Sequence, residues 1–246
     1  FYRANAIHMS APSPQRTPVL FQAGTSARGL RFAGQHAEGV FIGARTPEAA
    51  REASRQLRQA AVDVGRQPDD IKIYVGVAVV PGRTEAEARE KYAEYQAHAS
   101  AEGGLAHFAA STGVDFARYG LDEPIAFGQS NAIQSAAAAA RQQGWTTRRK
   151  LLEQFTLGSR YTTIVGDAAQ VADELERWVD VGEIDGFNLT RLVVPETWED
   201  FATLVVPELQ NRGRYRTSYA GGTLRQQLFG AGDRLPQRHP AARWRR

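Results

Sequence analysis

The 246-residue chain contains no cysteine. Disulfides and thiolate metal ligands are therefore excluded from its chemistry, and a reducing, cytoplasmic setting is the expectation that fits. Methionine is almost missing as well. The single one, Met9, stands inside a loop-like stretch, while the chain opens on Phe1, so a piece of a longer reading frame is expected. No run approaches the roughly 20 apolar residues of a membrane-spanning helix, and no secretory leader is visible. Charge of one sign is in small excess, 30 Lys and Arg against 27 Asp and Glu. Part of that excess gathers late, at Arg225, Arg234, Arg238, Arg243, Arg245 and Arg246, and residues 231–246 are expected to form a basic, disordered tail. No aromatic interleaving or nucleic-acid module accompanies these arginines, so neither nucleic acid nor membrane is expected as a partner. His8, His36, His98, His107 and His239 show no close ligand spacing with carboxylates, and no metal site is expected. GxSxG, P-loop and Rossmann fingerprints are absent too.

What is present is a chain with 42% hydrophobic residues, enough for a substantial core. Its organising stretch is PVLFQAGTSARG, residues 18–29. An apolar run of strand length ends in a small polar turn and opens a helix over residues 27–36. The N–H groups at such a helix start have no intrahelical partner, and with the helix dipole they suit an anion, most often a phosphate. Gly24 lets the backbone approach closely, and Thr25 and Ser26 add hydroxyls. The same residues are open to a plainer reading in which Ser26 is an N-cap and nothing more.

The rest alternates. AEGVFIG, residues 37–43, reads as a second buried strand. Thr46 caps a helix with Pro47 at its first position, running to about Val64 with Gly65 as its stop. Residues 71–81, IKIYVGVAVVP, form the strongest strand signal and suit a strand covered on both faces. Thr84 and Glu87 make a capping-box pattern for the next helix. Residues 101–160 break the rhythm with helical pieces at 132–143, capped by Asn131, and 147–157, joined by a loop over 119–129. They are either a helical insertion that packs on its neighbours or a lid over a pocket. In it, Asp115, Arg118 and Tyr119 either meet a polar substrate or decorate the surface. Residues 162–165 are a short strand or a connector. Asp167 caps a helix to Val181, residues 187–194 give a fourth convincing strand, and residues 198–213 a last helix. Beyond Tyr215 an extended segment is expected. His36 reads as a helix-end residue, and Trp145, Trp178 and Trp198 as packing residues.

Strands separated by amphipathic helices argue for an α/β fold with a parallel sheet. The length allows a TIM barrel, but about four parallel strands and a helical insertion near residues 100–160 make a partial (β/α)8 barrel. In a barrel the turns after the strands share one rim. That rule places residues 24–26, 43–46, the loop near Pro81 and residues 191–197 together.

PSPQRTPVLFQAGTSARGLRFAGQHAEGVF, IKIYVGVAVVPGRTEAEAREKY, the NAIQS segment at residues 131–135 and YTTIVGDAAQVADELERWVDVGEIDGFNL resemble, in that order, the bacterial-luciferase-like flavin monooxygenases. The subgroup is that of the nitrilotriacetate and dibenzothiophene-sulfone monooxygenases. The resemblance runs from about residue 12 to residue 230 and implies the C-terminal half of a (β/α)8 barrel. It further implies reduced FMN supplied by a separate NAD(P)H-flavin reductase, O2 as co-substrate, and oxygenation of a small organic substrate. The FMN phosphate would rest on Ser26, with Gly24 and Thr25 beside it. The half that holds most contacts to the flavin ring has no counterpart here, so catalytic residues are unknown and little turnover is expected of this chain alone. Two open sheet edges favour a homo-oligomer. The alternatives are an inactive remnant or oligomerisation module of the same fold, and a deazaflavin-dependent oxidoreductase.

Overall fold

A computed structural model of the protein describes residues 3, 5–6, 9–24, 26–127, 140–141, 144–155, 157 and 161–244. Its centre is a parallel sheet. β1 (Phe21–Ala23) pairs with β2 (Gly39–Ile42), and β2 pairs with the first residues of the long β3 (Lys72–Gly82). β3 then pairs over Val77–Gly82 with β4 (Thr162–Asp167), and over Tyr74–Ala78 with β5 (Gly186–Thr190). The β5 pairing overlaps both of the others, so β5 takes one edge of β3 while β2 and β4 share the opposite edge in succession. Residues 162–165 are thus a true strand. Among the described residues the sheet holds five strands, all parallel, as a partial barrel requires.

Helices cover one face. α1 (Ala27–His36) and α2 (Pro47–Val62) follow β1 and β2, and α3 (Glu85–His98) follows β3. α4 (Ala101–Thr112) and α5 (Arg148–Gln154) belong to the long insertion. α6 (Ala168–Gly182) follows β4. The core lies between the sheet and the α1, α2 and α6 helices, where Val40, Ile42, Ile73, Val75 and Val77 meet Ala33, Leu57, Leu175 and Trp178. Burying each of the large side chains contributes about 1.5–3 kcal/mol. α1 and α2 pack very closely, since a Cβ on Gly34 would stand 2.4 Å from the Ala60 carbonyl oxygen.

The insertion has a separate apolar cluster of Leu105, Phe108, Phe116, Ile125, Leu151 and Phe155. Of the helical pieces expected there, 147–157 appears as α5. The piece at 132–143 and its cap Asn131 lie outside the described residues, apart from residues 140–141. α4 adds a helix that the strand-and-cap reading passed over.

The end of the chain departs from expectation most. β5 stops at Thr190 rather than Val194 because the N–H groups of Leu192 and Val193 donate to Thr197 Oγ1. The last long helix starts early, as α7 (Glu196–Asp200), and passes through a π-helical turn (Phe201–Val205) into α8 (Val206–Asn211). The π turn precedes Pro207, which has no N–H to continue the α ladder. Beyond it the chain is not extended. α9 (Leu224–Phe229) forms, and Arg225, Leu235, His239 and Ala242 are buried. Within the run expected as a basic, disordered tail, the described residues 231–244 fold back, and an arginine in it and one just before it have buried partners. Arg238 makes two hydrogen bonds to Asp70, and Arg225 reaches Glu38.

Candidate functional site

Because every strand runs the same way, the turns after β1, β2, β3 and β5 leave the sheet at one end. The sequence supplies a small polar cap for most of the helices that follow. Ser26 Oγ accepts from Gly29 N–H at 3.1 Å, Thr46 Oγ1 from Ala49 N–H at 3.2 Å, and Thr84 Oγ1 from Glu87 N–H at 3.2 Å. The Glu87 side chain does not complete the expected capping box. It accepts instead from the N–H and Nε of Arg83, both at 3.0 Å.

The turn after β1 is open. Ala23, Gly24 and Ser26 are exposed. Gly24 has φ +113°, a conformation that side chains other than hydrogen rarely adopt. The Gln22 side-chain amide braces the turn by donating to the carbonyls of Ala23 at 2.8 Å and Gly24 at 3.2 Å. Ser26 is therefore an N-cap, as the plainer reading held. That role uses only a lone pair, so its O–H remains able to donate to a ligand. Thr25 lies outside the described residues. Geometrically the turn fits a phosphate, with one positive-φ glycine, one hydroxyl donor and a helix N-terminus at an exposed corner.

The sheet face away from the core helices carries aromatic rings. Phe41 lies between Val40 and Ile42, and Tyr74 between Ile73 and Val75, so strand alternation turns both away from the core. Phe21 stacks on Phe41 with centroids 5.3 Å apart, and Tyr74 stands 5.8 Å from Phe41 and 5.9 Å from Phe21. Phe21 remains 43% exposed, so this apolar layer is incompletely covered. Burial, then the charge of Asp185, raises the Tyr74 phenol.

The turn after β2 contains a residue that the sequence reading placed on the rim without singling it out. Arg45 is half-buried, its guanidinium carbon lies 5.1 Å from the centre of the Trp145 ring, and its carbonyl accepts from Thr162 Oγ1 at 3.1 Å. Its Nη1 is buried without a hydrogen-bond partner. Burial lowers the guanidinium pKa. A lone cation among Gly43, Ala44 and Thr46 was the signal that could have marked it. Trp145 also meets Phe155 edge-on at 5.7 Å, so the insertion reaches the rim through this ring.

Other candidates are placed elsewhere. Asp115 and Arg118 pair with each other at 2.9 Å on the surface, and the Tyr119 hydroxyl donates to the Ala126 carbonyl. They decorate the insertion. Trp178 is core, whereas Trp198 is 40% exposed. Two cavities, of about 600 and 560 Å³, include neither Gly24 nor Ser26 in their linings. The first lies at the opposite end of the sheet, beside Glu38, Asp70, Arg225 and His239.

Comparison with known proteins gives this geometry a context. The family described as luciferase-like monooxygenase matches residues 1–183. The dimethyl-sulfide monooxygenase of Hyphomicrobium sulfonivorans is 42% identical over all of this chain and 52% of its own length, and the long-chain alkane monooxygenase of Geobacillus thermodenitrificans is 40% identical over the same shares. A crystal structure of riboflavin lyase with modified FMN and riboflavin superposes with a TM-score of 0.91 at 33% identity, over 100% of this chain and 55% of that one. Dibenzothiophene-sulfone and nitrilotriacetate monooxygenases, the subgroup expected from the sequence, are among the relatives. The chain spans about half the length of the curated relatives it matches.

Proposed function

The chain belongs to the luciferase-like monooxygenase family, and from that premise we propose that it forms the cofactor-phosphate end of an FMN-dependent, two-component monooxygenase acting on a small organic substrate. The observation that carries the reading is the exposed Gly24–Ser26 corner at the helix-bearing rim, with a helix N-terminus behind it. Ser26 would donate its O–H to the phosphate, and the first N–H groups of α1 would face the same anion. Reduced FMN, delivered by an NAD(P)H-flavin reductase, would supply the electrons that let O2 oxygenate the substrate. The chain's own part is to bind and orient. The Phe21, Phe41 and Tyr74 rings would offer an apolar floor, and the insertion would limit water. The open β1 and β5 edges suit a homo-oligomer.

Titration with FMN and with riboflavin tests the reading. A hydrogen bond to a charged group contributes about 1.5–3 kcal/mol, so Ser26→Ala is expected to weaken FMN binding by roughly 10- to 150-fold. Riboflavin, lacking the phosphate, should be unaffected, and Ser26→Thr should keep most of the affinity. Equal loss for both flavins would refute a phosphate contact at Ser26. With reductase and NADH present, the isolated chain is expected to turn over little, because it spans only half the length of its catalytic relatives.

A further inference from the structure

The geometry points to Arg45 as a second oxyanion-binding residue at this rim, held in reserve under Trp145 until a ligand's phosphate, carboxylate or sulfonate takes the place of the indole. The inference deepens the cofactor reading above, and rests on it for the location of the ligand.

Three observations converge. Arg45 lies in the turn after β2, and β1 and β2 are hydrogen-bonded neighbours, so its turn adjoins the Gly24–Ser26 turn on the same rim. Its Nη1 is buried with no acceptor, although buried guanidinium donors are almost always paired. The group that covers it, Trp145, offers a π face and no acceptor atom. A cation satisfied by a ring alone is a donor site without its acceptor. Trp145 belongs to the insertion's separate cluster with Phe155, so an oxyanion that draws Arg45 toward it alters the contact between insertion and rim. The planar fork of an arginine matches carboxylate, sulfonate and phosphate alike. The shared chemistry is therefore an oxyanion, drawn from either the cofactor's tail or an anionic substrate.

The test uses the full chain and reads Trp145 fluorescence during titration with FMN, riboflavin, inorganic phosphate, benzoate and methanesulfonate. At least one oxyanion should give a saturable signal, with affinity lowered tenfold or more in Arg45→Gln and partly kept in Arg45→Lys. Trp145→Phe should lose the signal yet keep binding by calorimetry, which separates a binding role from a folding defect. If FMN and phosphate respond and riboflavin does not, the cofactor tail is the source. If benzoate or methanesulfonate responds while FMN affinity is unchanged by Arg45→Gln, the source is an anionic substrate. Wild-type affinities retained in Arg45→Gln for every oxyanion, or no oxyanion bound at all, would overturn the inference. FMN binding lost in Ser26→Ala but unchanged in Arg45→Gln, with no other oxyanion bound, would overturn it while leaving the cofactor reading intact. Arg45-dependent phosphate binding without FMN binding would do the reverse.

Discussion

Arg225 offers the sharpest check on how the base of this sheet is held. Its side chain is 2% exposed and its partner Glu38 is 3% exposed. The guanidinium donates through Nε to Glu38 Oε1 at 2.6 Å and through Nη2 to Glu38 Oε2 at 2.9 Å. It donates also to the carbonyls of Thr17 at 2.9 Å, Pro18 at 3.0 Å and Asp233 at 2.8 Å. One side chain thus ties the approach to β1, the entrance of β2 and the C-terminal segment. Arg225→Met keeps much of the volume but leaves Glu38 buried, with Leu20 N–H as its remaining donor in the structure. Breaking a buried pair from one side costs about 3–5 kcal/mol, against a total stability of about 5–15 kcal/mol. In urea, with a slope of about 2–3 kcal/mol/M, the midpoint should fall by about 1–2.5 M. Replacing both partners with apolar residues, Arg225→Met with Glu38→Leu, should recover most of the loss, because no orphaned charge remains. A cost under about 1 kcal/mol for Arg225→Met would refute the reasoning, as would a double variant no more stable than the single one.

Two further predictions concern the same packing. The His239 Nδ1 accepts from Ala241 N–H at 3.1 Å, which leaves Nε2–H to donate to the His36 carbonyl at 3.1 Å. The folded ring is therefore neutral, and burial, ahead of the other causes, lowers its pKa below the ordinary 6.5. The unfolded chain binds the extra proton first, so this contribution is complete above about pH 6.5 and is lost as the pH falls toward the folded-state value. Urea midpoints measured from pH 7.5 to 5 should drop more steeply in the wild type than in His239→Gln, and parallel curves would count against it. Gly34→Ala should destabilise by about 1–3 kcal/mol through overpacking, despite the gain of about 1 kcal/mol in helix propensity, because its Cβ would meet Ala60 backbone at 2.4 Å. A thermal midpoint that rises would show that α1 and α2 can separate cheaply.

The repeating part of the fold was legible because its signals are local. α1 spans the 27–36 segment marked by its small-residue turn, and Thr46 with Pro47, Thr84 and Asp167 mark helix starts by chemistry confined to four residues. β3 was visible from its apolar, β-branched run. What stayed hidden depends on partners far away in the chain. Arg225 and Arg238 read as solvated tail residues, since nothing near them in sequence shows that Glu38 lies 187 residues away and Asp70 168. β5 looked longer than it is because Thr197, past the apolar run, captures the N–H groups of Leu192 and Val193. At the candidate site the same division holds. Gly24 and Ser26 carry a local motif, whereas the orphaned donor of Arg45 appears only once Trp145 is seen against it, 100 residues later.

The two ends of the sheet differ in how far their buried charges are matched, and that difference argues for where ligands bind. At the base most buried charge is matched internally, although Arg66 Nε is buried without a hydrogen-bond partner, 3.9 Å from Asp70 Oδ2. Arg66 gives its Nη atoms to the carbonyls of Gly34, Ala37 and Asp70, Arg225 takes Glu38, and Arg238 takes Asp70. Burial pushes the Asp70 carboxyl up, yet the bonds from Arg238 and Gln67 N–H bring it below its usual range, as expected of a charge fully used in structure. An anion arriving there would have to displace bonds already made. At the rim the cost runs the other way. Helix N-termini face outward, the Ser26 proton is uncommitted, and the Arg45 Nη1 lacks an acceptor, so an oxyanion would complete interactions rather than compete for them. One of the two cavities lies at the base, where the Arg66 Nη atoms, Arg225 and Arg238 already hold acceptors, and groups so occupied have little to gain from a charged ligand.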